Sequence, residues 1–171
     1  MKTILSIASI AIFVLAHSAV ASSAHDFPEP IAKMLNQIET LVGDSYDWEF
    51  RPELPDAAMS FPGNKIIINP RMWGSMSSYA IFFAILHEIG HHQLGHTSYA
   101  GQIAGLYQPW LRPSMELAAD RYAAKKMLES GIKAYKVRAV ALEVFGRNAG
   151  DSTHPSGVVR ARNLADLLSD E

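Results

Sequence analysis

His87-Glu88-Ile89-Gly90-His91 closes an apolar run that begins at Tyr79. On a helix, positions four apart lie one above the other on the same face, so His87 and His91 can grip one metal ion with Glu88 beside them. Two imidazoles on a metal and a free carboxylate next to it suit metal-assisted hydrolysis, and this spacing is the one zinc peptidases use. Five residues also match by chance in unrelated chains, so the reading depends on a third ligand elsewhere.

Catalytic zinc usually has three protein ligands and an open position for water. The 171 residues contain no cysteine, so the third ligand must be His, Asp or Glu. The same absence excludes a disulfide framework, a thiolate site, a cysteine nucleophile and a lipid-anchored lipoprotein. Two candidates follow the pentad, His96 and Glu116. A metzincin would need glycine three residues and histidine six residues after His91; Leu94 and Thr97 stand there, so that pattern fails. Glu116 fits better, because Asp120 lies one helical turn on and can accept a hydrogen bond from the free nitrogen of a ligand histidine, fixing its tautomer. The expected site is therefore His87, His91 and Glu116 on the metal, Glu88 as general base, and Asp120 behind His87 or His91. Leu117, Ala118 and Ala119 point to burial of that helix rather than a solvated face beside Arg121 and Lys125. His25, His92 and His96 are read as surface or outer-layer histidines.

Elements must hold these side chains. Ser77 or Ser78 can cap a helix whose stretch Ala80 to Leu86 is apolar all round, which predicts a mount running through the interior. Upstream, Ile31, Met34, Leu35, Ile38, Leu41 and Val42 recur at helical spacing up to Gly43, and Tyr46 to Phe50 alternates like a half-buried strand with its aromatics in the core. Pro62-Gly63-Asn64 separates two short strands, the second rich in isoleucine. Either they form a simple hairpin, or one is an edge beside the pentad helix that takes an extended peptide by strand addition. Thr97 to Pro113 reads as a loop or broken helix whose Tyr99, Leu106, Tyr107 and Trp110 are expected to pack inward rather than wall a cleft. Ser114 can cap a helix through Glu116 and Asp120 that stops at Gly131; a helix over 133–147 and a last one carrying Val158, Val159, Leu164, Leu167 and Leu168 follow.

Lys2, the apolar Ile4 to Ala16 and Ala19-Val20-Ala21 have the form of a cleaved signal peptide over residues 1–21, the alternative being a retained anchor. Residues 22–171 then form a single domain, periplasmic or secreted, large enough for its own core. With 49% hydrophobic and 19% charged residues the chain is an ordinary globular one, and its net charge of −2 offers no footprint for nucleic acid. No later stretch could span a membrane.

The residues resemble gluzincin metallopeptidases of the group that includes the heat-shock protease HtpX and the CAAX prenyl protease. Four blocks carry the resemblance: Phe61-Pro62-Gly63-Asn64-Lys65-Ile66, the pentad with His96, Glu116-Leu117-Ala118-Ala119-Asp120, and Thr153-His154-Pro155-Ser156 with Arg160. It implies an α+β, zincin-like metallopeptidase domain, mostly helical, with a small sheet and an edge strand beside the active-site helix. It further implies one zinc ion per chain on His87, His91 and Glu116, Glu88 as base, Asp120 behind the ligands, His154 as stabiliser of the oxyanion, and Arg160 near the site. From the residues alone, His154 is equally a turn residue before proline. The interval from His91 to Glu116 is shorter than in that group, and its transmembrane helices are lacking, which describes a minimal relative. The implied activity is a zinc endopeptidase of the cell envelope acting on unfolded or extended polypeptide. The alternatives are a non-catalytic zinc module, or a latent enzyme covered by its own 97–113 segment.

Overall fold

In the computed structural model, which describes residues 28–146 and 149–169, the apolar positions after Pro28 form helix α1 (Glu29–Val42). Leu35 and Ile38 are its buried ridge, and Gly43 ends it in the left-handed conformation. The leader expected over residues 1–21, and His25, lie outside the described residues. Glu39 ties α1 to the next element, accepting bonds from the Tyr46 backbone N–H at 3.0 Å and the Trp48 indole at 2.9 Å.

Strands β1 (Asp47–Phe50), β2 (Ala58–Phe61) and β3 (Lys65–Ile68) form one sheet in the order β1-β3-β2. β1 runs parallel to β3 and β2 antiparallel to it, with Met59 opposite Ile67. Ile66, Ile67 and Ile68 are buried because β3 is central, and Tyr46 and Trp48 join them in the core as expected. Gly63 and Asn64, both at positive φ, turn the chain between β2 and β3. A short helix α2 (Pro70–Trp73) leads to α3 (Ser78–Gln93), which carries the pentad. Ser77, not Ser78, caps α3 by accepting from the Ala80 N–H. Ala80, Ile81, Phe83, Ile85, Leu86 and Ile89 are buried, so α3 is the interior mount the sequence predicts.

Helix α4 (Tyr99–Tyr107) and a 3-10 turn (Pro109–Leu111) fill the segment read as a loop or broken helix. The inward packing expected of its large side chains does not occur: Tyr99 is 81%, Tyr107 73% and Trp110 69% exposed. The glycines decide this. Gly101 presses on the backbone of Gly95 and His96, and buried Gly105 receives the Arg112 guanidinium on its carbonyl, so the small face turns inward and the aromatic face outward.

Helix α5 (Arg112–Glu129) starts before Ser114, whose hydroxyl donates to the Leu111 carbonyl instead of capping; Pro113 occupies its first turn. Past its end, Gly131 at positive φ donates to Leu128 O and Ile132 to Met127 O, closing the expected glycine stop. Helix α6 (Ala134–Phe145) buries Ala134, Val137, Val140, Ala141 and Phe145. In α7 (Gly157–Asn163), Val158 and Val159 face solvent, and the last buried apolar residues are Leu164 and Leu168 beyond it. The molecule is thus α+β, mostly helical with a small three-stranded sheet. Among the described residues, no helix is long and apolar enough to cross a membrane.

Candidate metal centre

Three elements meet at the C-terminal half of α3. Gly90 makes the meeting possible: a Cβ there would stand 3.2 Å from Ala119 Cα and from Tyr122 Cβ of α5. A glycine inside a helix weakens it by about 1 kcal/mol relative to alanine; here it lets two backbones approach. That brings Glu116 and Asp120 against the pentad.

His87 Nε2 lies 3.1 Å from His91 Nε2 and 3.2 Å from a Glu116 oxygen, and His91 Nε2 lies 3.4 Å from the other Glu116 oxygen. Bonds of about 2.0–2.1 Å to a tetrahedral metal place ligand atoms roughly 3.3–3.4 Å apart, so the triangle has the size such an ion needs. The donor chemistry agrees. His87 Nδ1–H donates to Asp120 Oδ1 at 2.9 Å, so in the neutral ring that a metal would bind, the lone pair lies at Nε2, on the side of His91 and Glu116. His87, His91 and Glu116 therefore fit a metal ion.

The electrostatics point the same way. Burial works against charge on His87, but hydrogen bonds to Asp120 and Glu116 outweigh it and raise its pKa to about 10. The pocket favours positive charge at that point. Burial, reinforced by the charge of His87, pushes His91 down to about 3, and burial lowers His96 as well. Glu116 resists its burial because His87, His91 and His154 hold it near 2.

Glu88 stands outside the triangle. Its carboxylate accepts from the Ser60 backbone N–H at 2.8 Å, and burial raises its pKa despite the charge of His87. Ser60 belongs to β2. Asn69 N–H donates to Ala57 O, so in the alternating antiparallel ladder Met59 and Phe61 bond to β3 while Ser60 turns its N–H away from it. β2 is therefore an edge strand beside the pentad helix.

Asp120 is fully buried, and Arg160 reaches it from α7 with Nε at 2.8 Å from Oδ2 and Nη2 at 2.6 Å from Oδ1. The guanidinium also covers the Phe145 ring at 4.3 Å. The Arg160 fork is spent on Asp120, which in turn holds His87. The close start of α7 depends on Gly157, where a Cβ would meet Gly146 O at 2.7 Å.

His154 is exposed and outside the triangle. Thr153 Oγ1 donates to Asp151 Oδ1 at 2.6 Å and so accepts from His154 Nδ1–H at 2.8 Å. A neutral His154 then presents a lone pair at Nε2, and only the imidazolium can donate there.

Two further histidines have assignable places. His92 Nε2 meets Lys65 O at 3.2 Å and its Nδ1 meets the Thr97 hydroxyl at 3.0 Å, so it clamps α3 to β3. His96 lies beside His91, their Nδ1 atoms 2.9 Å apart. This contact puts His96 in the layer directly behind the candidate ligand rather than at the surface.

Residues 8–170 match the peptidase U49 family. The chain belongs to that family. As a U49 peptidase it is a hydrolase of peptide bonds, with polypeptides as substrates. No curated protein and no solved structure matches the chain.

Proposed function

We propose that this U49 peptidase is a zinc-dependent endopeptidase with a zincin-like fold, related to the gluzincins of the HtpX and CAAX prenyl protease group and acting in the cell envelope. The observation that carries the reading is the convergence of His87, His91 and Glu116 into a triangle of tetrahedral size, with Glu88 left free beside it. Two histidines and a glutamate, without cysteine, form the donor set of catalytic rather than structural zinc. Bound there, zinc would lower the pKa of a water from 15.7 to about 7 and polarise the scissile carbonyl.

The chain's own residues do the rest. Glu88 takes the proton of the attacking water and hands it to the leaving amine; its raised pKa suits a group that must both accept and release. The Ser60 N–H holds that carboxylate in place. Strand β2 offers an edge to an extended or unfolded polypeptide, held through backbone pairing. His154, whose charge is felt by Glu116, is the oxyanion partner in its protonated form. The leader at residues 1–21 supports export to the periplasm or medium.

The test is metal analysis of purified protein with cleavage of an unfolded substrate such as casein. Wild type should carry about one zinc per chain and cut; Glu88→Gln should keep the zinc and lose activity by about 10²–10⁴-fold. Zinc-loaded wild type that leaves casein intact, or an active Glu88→Gln, overturns the proposal.

A further inference from the structure

We propose that His96 is a positioning residue for the metal centre: its Nδ1 accepts a hydrogen bond from His91 Nδ1–H and thereby fixes the ring and tautomer of that ligand. The inference rests on His91 holding a metal through Nε2, as argued above.

The geometry comes from how α3 ends. Gly95 donates to His92 O at 2.9 Å and His96 to His91 O at 2.8 Å, with Gly95 at φ +75°. These are the paired bonds of a Schellman motif, in which the second residue past the helix returns over the residue at the start of its last turn. That contact is usually apolar. Here it joins two imidazoles, with ring centroids 5.0 Å apart and Nδ1 atoms 2.9 Å apart. At that distance one nitrogen must donate and the other accept. With the Nε2 lone pair given to a metal held between Glu116 and His87 Nε2, the neutral His91 ring carries its proton at Nδ1, and His96 Nδ1 is the acceptor.

Two further contacts hold this turn. The Ser98 hydroxyl donates to Gly95 O at 2.6 Å while capping α4, and Gly101 lets α4 lie directly on the His96 carbonyl. His96 is not a ligand in this arrangement, because its Nδ1 faces the side of the His91 ring opposite Nε2. The two metal histidines therefore have unlike partners: anionic Asp120 behind His87, and neutral His96 behind His91. A neutral acceptor orients a ligand without adding negative charge to a pocket that already holds Glu116, Glu88 and Asp120.

The test measures zinc affinity of the full chain by competition with a chromophoric chelator, together with the visible absorption of the cobalt(II) form. His96→Leu keeps apolar bulk but removes the acceptor and should weaken zinc binding by about 10–100-fold. His96→Asn, which can place an amide oxygen near the Nδ1 position, should recover most of that loss. The cobalt band should keep its tetrahedral intensity in both, since no ligand is removed. A lower melting temperature of His96→Leu with wild-type zinc affinity would make His96 a purely structural turn residue and overturn the proposal. A collapse of the cobalt band to six-coordinate intensity would make it a ligand and overturn it equally. If the leucine variant lacks a cooperative melt, His96→Ala replaces it under the same criteria. Wild type that binds no zinc refutes the metal reading itself, whereas tight binding by both wild type and His96→Leu refutes only the role of His96.

Discussion

Asp120 keeps a carboxylate at full burial because two partners share it, His87 Nδ1–H on one side and the Arg160 fork on the other. A buried charge stripped of its partner is strongly destabilising, whereas removing both partners together costs much less. Arg160→Met should accordingly lower stability by about 3–5 kcal/mol. Combining it with Asp120→Asn should give much less than the sum of the single effects, because the charge that Arg160 faces has gone. A double-mutant cycle in urea measures this; additivity would show that the fork does not act through Asp120. Sequence spacing made Asp120 and Glu116 recognisable as a pair on one helix face. Which histidine Asp120 would serve, and what Arg160 would do, depended on the approach of α5 and α7, and spacing along the chain carries no such distance.

At the scale of elements, the decisive residue is Gly90 inside the pentad. Alanine there gains about 1 kcal/mol of helix propensity. Its Cβ would press on Ala119 Cα, which is backbone and cannot rotate away, at a cost of about 1–3 kcal/mol. Gly90→Ala should therefore change the melting temperature little or lower it, while weakening zinc binding through the displacement of Glu116. Thermal melts and chelator competition on the same samples check it, and a raised melting temperature with intact affinity would contradict the packing argument. Helices α1 and α6 were legible because each buries a periodic apolar face, and α3 because Ala80 to Leu86 is apolar all round. Helix α4 was not: the inward reading of Tyr99, Leu106, Tyr107 and Trp110 followed apolarity, and the close backbone contact of Gly101, together with buried Gly105 on the same helix, turned those side chains to solvent.

For the whole molecule, the centre joins α3 to α5 and, through Asp120 and Arg160, to α7. A metal bound there stabilises the folded state by mass action, by about 4 kcal/mol at a thousand times its Kd. Removing zinc with a chelator should lower the melting temperature by roughly 8–16 °C, and adding zinc back should restore it. Calorimetry with and without chelator reads the effect, and an unchanged melt would separate the fold from the metal. By itself the sequence determined the chemistry on offer: the residue types, the helical spacing of His87 and His91, the exclusion of thiolate ligands, and the buried character of the mount. These are local properties, set by side-chain identity and helix period. The tertiary structure decided the partnerships: Ser60 with Glu88, Arg160 with Asp120, His96 with His91, and the outward face of α4. Each joins groups through a turn, a sheet edge or a helix crossing; Gly90, Gly101 and Gly157 let backbones approach there, and Gly95 turns the chain at positive φ.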